Sequence, residues 1–232
     1  YDNNVNGTKV LLQSMVAHGL DKIVFSSTAA TYGEPEKVPI LETDRTEPTN
    51  TYGETKLAME KMFKWTDRAH GLKYVSLRYF NACGAHVSGK IGEAHSPETH
   101  LIPLILQVPL GQREYISIFG DDYDTPDGSC IRDFINVVDL AKAHVIAIRR
   151  ILEKTQKEKV EVFNIGTGRG VSVLELINGF ERATGVKLNY QIVGRRAGDI
   201  EKVWANPDFA NQELGWKAVE TLEDTLRSAW NW

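Results

Sequence analysis

The stretch Lys22-Ile-Val-Phe-Ser26 decides the fold, because its β-branched and aromatic residues are typical of a short buried strand. A second apolar run of the same character spans residues 73–80 (KYVSLRYF). Between the two runs, residues 52–70 carry the apolar spacing of a helix, and Gly71 is placed to end it. Strand, helix and strand at this spacing predict parallel strands in an α/β sheet.

The rest of the chain continues to mix helices and strands. A helix is predicted at residues 3–18, with Asp139 as a candidate cap for a later one. The glycine-rich segment 166–170 lacks the G-x-G-x-x-G spacing of a dinucleotide loop, so we interpret it as a turn. We also expect strands at 115–119, 134–138, 160–165 and 188–192, and helices at 101–110, 139–153, 172–184 and 222–230.

Length and composition narrow the class of protein. A chain of 232 residues can form one large domain or two small ones, and 42% apolar with 25% charged residues is ordinary for a globular protein. The net charge is −4, and there is no basic stripe that would indicate nucleic acid binding. No apolar run reaches the ~20 residues of a membrane span. Cys83 and Cys130 form neither a disulfide framework nor a metal-ligand pattern, so we expect a cytoplasmic protein and predict no metal site.

Tyr52 and Lys56 place two reactive side chains, a phenol and an ammonium, on the predicted helix at 52–70. They are four residues apart and therefore lie on one side of a helix. A free tyrosine has a pKa of ~10 and is a poor base at neutral pH, whereas a lysine beside it would lower that pKa. A phenol tuned in this way can give or take a proton from a sugar hydroxyl. Any amphipathic helix can carry this pair, so its meaning depends on its surroundings.

The segment Ser26-Ser27-Thr28 supplies such surroundings at the end of the first strand. In open α/β sheets, ligands bind outside the carboxyl ends of the strands. A hydroxyl there can hydrogen-bond the same substrate oxygen that Tyr52 would address, although small polar residues are also typical of a simple turn. Thr28 is therefore a candidate partner of Tyr52 and Lys56.

A series of ordered motifs gives the whole chain a resemblance to the extended short-chain dehydrogenase/reductase family, and within it to the nucleotide-sugar 4-epimerases. Each motif is weak alone, but together and in this order they are specific. They are Asp2-Asn-Asn-Val-Asn-Gly-Thr8, Phe25-Ser-Ser-Thr-Ala-Ala-Thr-Tyr-Gly33, Tyr52-Gly-Glu-Thr-Lys56, Arg78-Tyr-Phe-Asn81 with Gly84-Ala85, His100-Leu-Ile-Pro103, Asp127-Gly-Ser-Cys-Ile-Arg-Asp133 and Arg195-Arg-Ala-Gly-Asp199.

The resemblance implies a Rossmann-like doubly wound parallel sheet with a smaller α/β substrate domain. Residues 1–81 would be the C-terminal part of the NAD-binding Rossmann domain. Residues 82–232 would be mainly the UDP-sugar-binding domain, with some segments returning to the Rossmann domain. It also implies a homodimer of the full-length protein, in which the helices at 3–18 and 52–70 of each subunit pair into a four-helix interface.

The glycine-rich G-x-x-G-x-x-G loop of the resembled family does not occur in this sequence. That loop holds the NAD pyrophosphate at a helix N-terminus, and its place in the family lies before Tyr1. We therefore expect the 232-residue chain by itself to be inactive and, because a sheet edge would be uncovered, poorly soluble.

The activity implied by the resemblance is NAD-dependent 4-epimerisation of UDP-glucose and UDP-galactose through a 4-keto intermediate. In the resembled enzymes, hydride leaves C4 of the hexose for NAD and returns to the opposite face after the sugar has turned. Tyr52 would be the catalytic base and acid, Lys56 would lower its pKa and bind the nicotinamide ribose, and Thr28 would be the catalytic hydroxyl. Asn3 and Phe80 fall at positions that contact NAD.

The resemblance assigns the UDP-sugar mainly to side chains of the second half. Val203 falls beside the C2 substituent of the sugar and is small, so UDP-GlcNAc and UDP-GalNAc are further candidate substrates. Taken singly, Arg132 and Asp133 could instead form a surface ion pair, and Arg195-Arg196 could be a solvated loop. The assigned residues are Arg132 and Arg196 for the diphosphate, Asp199 for a ribose hydroxyl, Ser117, Ile118 and Phe119 for uracil, and Asn81, His100 and Leu101 for other substrate contacts.

Other functions on the same fold stay open. A nucleotide-sugar 4,6-dehydratase would need an acidic pair directly after Thr28, where Ala29 and Ala30 stand. A 4-epimerase of UDP-pentose or UDP-glucuronate is an alternative, although the sequence places no extra cation for a C5 carboxylate. A non-catalytic nucleotide-sugar-binding protein is another, but such a protein has no need of Thr28, Tyr52 and Lys56 together.

Overall fold

Helices and strands alternate through the computed structural model, which describes residues 1–232. A π-helical turn at Asp2–Asn6 leads into the first helix. The strands are β1 (Lys22–Thr28), β2 (Lys73–Tyr79), β3 (Asn81–Cys83), β4 (Ile116–Phe119), β5 (Ile131–Arg132), β6 (Phe134–Asn136), β7 (Val160–Ile165), β8 (Val171–Ser172), β9 (Tyr190–Val193) and β10 (Lys202–Val203). The helices are α1 (Gly7–Ala17), α2 (Thr51–His70), α3 (Leu101–Gln107), α4 (Val137–Leu152), α5 (Val173–Thr184), α6 (Asp208–Leu214) and α7 (Leu222–Asn231).

A three-stranded parallel sheet in the order β1-β2-β7 organises the first half of the chain. α1 and α2 cover one face, where Leu12 and Phe63 are buried against Phe25. α4 and α6 cover the other face, where Ala143 and Ala210 are buried against the strands. Helices on both faces of a parallel sheet confirm the predicted α/β class.

The first turn of α2 lies against the turn that follows β1. The Asn50 side chain caps the helix by accepting the backbone N–H of Gly53 at 2.8 Å. A Cβ at Gly53 would lie 2.3 Å from the carbonyl oxygen of Ala30, so no larger residue fits there without moving the backbone. This close approach brings Tyr52, near the start of α2, beside Thr28 at the carboxyl end of β1.

The second half builds another core from short sheets. β4 pairs with β9, and β5 lies between β10 and β8. α3, α5 and α7 pack here, with Ile105, Ile118, Leu176, Phe180 and Leu226 fully buried in one cluster. α4 and β7 also belong to the second half of the chain, yet β7 is a strand of the first sheet and α4 packs against that sheet. The chain therefore passes between the two cores more than once.

A buried ion pair fastens α2 to the sheet. The Arg78 guanidinium on β2 donates to the Glu60 carboxylate on α2 at 3.0 Å through Nε and at 2.6 Å through Nη2. Ser27 and Ser76 also donate to Glu60 Oε1, at 2.6 and 3.0 Å. Arg78 Nη1 donates to the Tyr32 hydroxyl at 3.0 Å. The guanidinium and the carboxylate meet through two hydrogen bonds, and neighbouring side chains satisfy both groups further. Such geometry offsets the cost of removing the two charges from water.

The predicted cap of the fourth helix is wrong. α4 begins at Val137, and the residue that caps it is Asn136, whose Oδ1 accepts the N–H of Val138 at 2.8 Å. Asp139 is instead fully buried, and its Oδ2 accepts the N–H groups of Val219 and Glu220 at 2.7 and 2.9 Å. This carboxylate thus anchors the segment that leads into α7.

Other elements agree in type with the sequence predictions but differ in extent. The strand expected at 134–138 ends at Asn136, and the helix expected at 101–110 ends at Gln107. α6 and the two- and three-residue strands β3, β5, β8 and β10 were not predicted. None of the helices combines the length and the apolar character that crossing a bilayer requires.

The ion pair on α2 generates a stability prediction. We expect Glu60→Gln to lower the free energy of unfolding by about 3–5 kcal/mol, because Arg78 would keep a buried charge without its counter-charge. Glu47→Gln is the matched control, since Glu47 pairs with Arg45 where both side chains are mostly exposed, and it should cost less than about 1 kcal/mol. Urea denaturation of both variants measures the difference; equal losses would contradict the prediction.

Candidate functional site

A cavity of about 780 Å³ lies at the carboxyl ends of β1 and β2, between the sheet and the second core. This is the edge at which open α/β sheets bind ligands. All of the site residues predicted from sequence line it except Asn3, Lys56 and Val203. The predicted residues that line it are Thr28, Tyr52, Phe80, Asn81, His100, Leu101, Ser117, Ile118, Phe119, Arg132, Arg196 and Asp199.

Thr28 and Tyr52 meet at the sheet end of the cavity. Thr28 is buried, and its Oγ1 accepts the N–H of Ala30 at 3.1 Å, which fixes the side chain at the turn. The Tyr52 side chain is about half exposed, at 48%. Burial raises the pKa of the Tyr52 phenol, and a hydrogen bond with the Thr28 side chain opposes that rise.

Lys56 lies one helical turn after Tyr52, and its ammonium is engaged at the end of β1. Its Nζ donates to the backbone carbonyl of Ser26 at 2.9 Å and lies 5.8 Å from the centroid of the Tyr52 ring. Burial lowers the pKa of the ammonium. The expected lowering of the Tyr52 pKa by Lys56 is therefore not seen in this structure, because burial of the phenol dominates and the ammonium is engaged at the strand end.

Two arginines stand over the opposite part of the cavity and share one carboxylate. Arg196 donates to Asp199 through Nη2 at 2.6 Å, and its guanidinium lies 5.2 Å from the Phe119 ring centroid. Arg132 Nη2 lies 4.0 Å from the same carboxylate. The hydrogen bonds that Arg196 donates to the Asp199 carboxylate raise the pKa of Arg196. In this structure Asp199 is engaged with arginine, whereas the sequence analysis assigned it to a ribose hydroxyl.

The surface ion pair considered for Arg132 and Asp133 does not form. Asp133 is fully buried and accepts the backbone N–H groups of Thr167, Gly168 and Ala205 at 2.9, 3.3 and 3.2 Å. This carboxylate holds the glycine-rich turn after β7, which agrees with the interpretation of that segment as a turn. Arg132 is left facing the cavity with Asp199.

The apolar wall of the cavity comes from β4 and the start of α3. Ser117 and Phe119 lie on one face of β4, whereas Ile118 is buried in the second core, as the alternation of a strand requires. His100 precedes the first residue of α3, and Leu101 begins that helix. Asn81 is exposed just beyond the end of β2. The polar and aromatic groups thus surround the space from three sides.

The predicted residues outside the cavity lining have other surroundings. Asn3 is exposed in the N-terminal turn, where it donates to Asn4 at 3.3 Å. Val203 packs against the buried cluster that contains Phe80, and it is paired in register with Arg132. It therefore adjoins two residues of the cavity wall without lining the cavity itself.

Several lining residues were missed by the sequence analysis. Arg113 is a further cation at the cavity, and Tyr79 is a second phenol. Glu93, His95 and Glu98 come from the loop before α3. Tyr79 lies in the motif Arg78-Tyr-Phe-Asn81, but the resemblance gives it no role. The other four lie outside the motifs, and their only sequence signal is the density of Glu and His before His100.

Comparison with known proteins defines the class to which this fold and site belong. The pattern of the NAD dependent epimerase/dehydratase family matches residues 1–166. The chain belongs to this family.

Relatives and solved structures within the family are more specific. The chain is 54% identical to the UDP-glucose 4-epimerase of Halalkalibacterium halodurans over 233 residues, which cover 100% of this chain and 69% of the relative. It resembles the UDP-glucose 4-epimerase structure from Stenotrophomonas maltophila with bound NAD and formylated UDP-arabinopyranose, at 42% identity and a TM-score of 0.95, covering 100% of this chain and 68% of that one. It also resembles the Bifidobacterium longum enzyme in complex with NAD+ and UDP, at 46% identity and a TM-score of 0.94, covering 100% and 69%.

The contact between Thr28 and Tyr52 leads to a pKa prediction. Because the Thr28 hydroxyl lowers the pKa of Tyr52, we expect Thr28→Val to raise that pKa further. Thr28→Ser keeps a hydroxyl and should leave the pKa close to that of the unmodified protein. Titration of the Tyr52 signal by NMR, with tyrosine labelled at the phenolic carbon, distinguishes the variants; the same pKa in all three proteins would disprove the coupling.

Proposed function

We propose that this protein catalyses the NAD-dependent 4-epimerisation of UDP-glucose and UDP-galactose through a 4-keto sugar. The observation that carries the proposal is a single cavity that joins Thr28 and Tyr52 at one part to Arg132, Arg196 and Phe119 at another. A tuned hydroxyl pair suits chemistry at a sugar hydroxyl, and two arginines suit a diphosphate. The UDP-glucose 4-epimerases among the relatives and solved structures support the same conclusion.

Tyr52 would exchange the proton of the sugar C4 hydroxyl. As the phenolate it would accept that proton, and as the phenol it would return it once the sugar has turned. Burial opposes formation of the phenolate, and the Thr28 side chain favours it. The Lys56 ammonium lies 5.8 Å from the centre of the Tyr52 ring. Thr28 would donate a hydrogen bond to the same sugar oxygen and hold it in line with the phenol.

The residues at the sheet edge fit a nicotinamide cofactor. Lys56 Nζ uses one of its three N–H donors on the Ser26 carbonyl, so donors remain for a ribose hydroxyl. Phe80 lines the cavity and is a candidate contact for the cofactor, and Asn3 is a further candidate at the N-terminal turn. Bound NAD would supply the chemistry that no side chain here can, by accepting a hydride from C4 and giving it back.

The second half would hold the nucleotide while the hexose turns. Arg132 and Arg196 would bind the diphosphate, with Asp199 placing both guanidinium groups as well as meeting the ribose. Phe119 and Ser117 would pack against the uracil ring. Asn81, His100 and Leu101 would contact the remaining polar groups of the substrate. Anchoring at the nucleotide leaves the sugar free to present either face to Tyr52.

The proposed domains correspond to the two ligands. Residues 1–81 would contribute the cofactor side, and residues 82–232 mainly the UDP-sugar side. β7 and α4 are the segments of the second part that return to the first sheet. We further propose that the protein works in the cytoplasm, which its free cysteines Cys83 and Cys130 support.

A homodimer is the proposed assembly. Val10 and Leu11 on α1 are 52% and 47% exposed, and Trp65 on α2 is 63% exposed. Apolar side chains exposed on two neighbouring helices suit a four-helix interface between subunits. Light scattering of the purified protein tests this, and a monomeric mass would count against it.

Replacement of the proposed base separates an enzyme from a binding protein. We expect Tyr52→Phe to lower kcat about 10²–10⁴-fold with UDP-sugar binding retained, because it removes the acid-base group alone. Tyr79→Phe is the matched control, since it removes a phenolic hydroxyl from the same cavity and should change kcat little. Steady-state assays and calorimetric binding of both variants, each made in the full-length protein, give the result. Unchanged turnover in Tyr52→Phe would defeat the proposed mechanism.

Epimerisation of UDP-GlcNAc and UDP-GalNAc is a second candidate activity. The observation in its favour is the small Val203 side chain, which packs against the cluster that contains Phe80 and is paired in register with Arg132, two residues that line the cavity. A bulky residue there would restrict the space beside C2 of the sugar. We expect Val203→Tyr to lower kcat/KM for the acetylated pair at least about tenfold more than for UDP-glucose and UDP-galactose.

The ratio of the two kcat/KM values is the measurement, because any loss of folded protein affects both substrates equally. Val203→Ala is the control and should preserve the ratio. If the unmodified protein fails on the acetylated pair as completely as Val203→Tyr does, the second activity is excluded and the first one stands.

A further inference from the structure

The loop between β3 and α3 gathers two carboxylates and two imidazoles outside the acid-base and arginine groups. Glu93, His95, Glu98 and His100 place one possible ligand atom each within 4.8 Å of all the others. Glu93 Oε1 lies 2.8 Å from His100 Nδ1 and 3.2 Å from His95 Nδ1. Glu98 reaches the same nitrogens at 3.0 and 3.5 Å. Each imidazole therefore faces both carboxylates.

We propose that these four side chains bind a divalent zinc ion. Zinc prefers four tetrahedral ligands and takes imidazole nitrogen and carboxylate oxygen at about 2.0–2.2 Å. Ligands at that radius are separated by about 3.3–3.6 Å from one another, by the geometry of a tetrahedron. The four imidazole–carboxylate separations are 2.8–3.5 Å, and no two of the ligand atoms lie more than 4.8 Å apart, so shifts of about 1 Å bring the set to these values.

The charge of these four side chains also favours a divalent cation. The Glu98 side chain is 7% exposed and that of Glu93 is 22% exposed, and neither forms an ion pair with a lysine or arginine. Buried carboxylates need a counter-charge. Metal ligation requires neutral imidazoles, and in that state the two carboxylates give the set a charge of −2, which a divalent cation cancels. The imidazole edges are more than half exposed, at 53% for His95 and 56% for His100, so an ion can enter from solvent.

Part of the ligand set is already oriented by the backbone. Glu98 Oε1 accepts the N–H groups of Thr99 and His100, both at 2.7 Å, which holds the carboxylate in place. Its other oxygen remains directed at His95. Outer hydrogen bonds of this kind fix ligand direction and are characteristic of built metal sites.

The position of the site gives the ion its role. The four residues line the substrate cavity, and His100 stands directly before α3. Four protein ligands leave no open position for chemistry, so the ion acts as a structural clamp. It joins the middle of the loop, at Glu93, to the start of α3 and thereby fixes this wall of the cavity. His100 faces the carboxylates through Nδ1, which leaves Nε2 for the proposed substrate contact. The clamp is separate from the proton transfer assigned to Tyr52.

The test measures zinc binding to the purified, chelator-treated protein by isothermal calorimetry. We expect one ion per chain with a Kd below about 1 µM, and His95→Gln should weaken binding at least about tenfold. His86→Gln is the matched control, because His86 lies in the same loop, contacts Ser88 and belongs to no ligand set; it should bind zinc like the unmodified protein. Glu98→Gln serves as a second ligand variant if His95→Gln does not fold.

Hydrogen exchange of residues 84–100 provides a readout that does not depend on turnover. Zinc should slow exchange there in the unmodified protein and in His86→Gln, but not in His95→Gln. Cobalt bound in place of zinc should give the visible spectrum of a tetrahedral site. Equal zinc binding by His95→Gln and His86→Gln, or zinc binding with no protection of the loop, would overturn the proposal. Neither outcome bears on the epimerase activity.

Discussion

The buried ion pair between Glu60 and Arg78 is the interaction on which the rest of the structure depends. It joins the middle of α2 to the middle strand of the sheet, and Ser27 of β1 completes the coordination of the carboxylate. In a low-dielectric interior, such a pair tolerates little displacement of either partner. The position of α2 along and above the strands is thereby set, and with it the position of Tyr52 over Thr28. The site is thus positioned by charges that take no part in its chemistry.

The long elements of the first half are predictable because each carries its own signal. β1 and β2 are continuous apolar runs, and α2 has helical spacing between Asn50 and Gly71, which cap its two ends. The strands β5, β8 and β10 have two residues each, so no period can show in them, and their pairing depends on partners far away in sequence. Asp139 was misplaced for a related reason: a carboxylate near a helix start suits a cap, and only the fold shows that Asn136 already fills that role.

The residues of the candidate site could be predicted where they belong to the ordered motifs. Their contacts could not be predicted, because these depend on the folded structure. Chemistry-bearing residues from separate motifs, such as Thr28 and Arg196, do line one cavity. The direction of the Lys56 ammonium could not be foreseen, because it depends on a strand carbonyl that becomes available only in the folded sheet. The cluster around Glu98 follows neither a helical nor a strand period, so the density of Glu and His at residues 93–100 does not show which side chains face one another.

The missing side chain at Gly53 has a consequence for how this site can change. The carbonyl oxygen of Ala30 occupies the space that a Cβ would need, with a separation of only 2.3 Å. Any substitution must push the start of α2 outward, and displacements on the order of 1 Å can cost about 100-fold in rate. Residues around the proposed nucleotide site can therefore be substituted one at a time and change which ligand binds. The spacing between α2 and β1, in contrast, cannot change in small steps. Specificity and reactivity in this protein are free to evolve at different speeds.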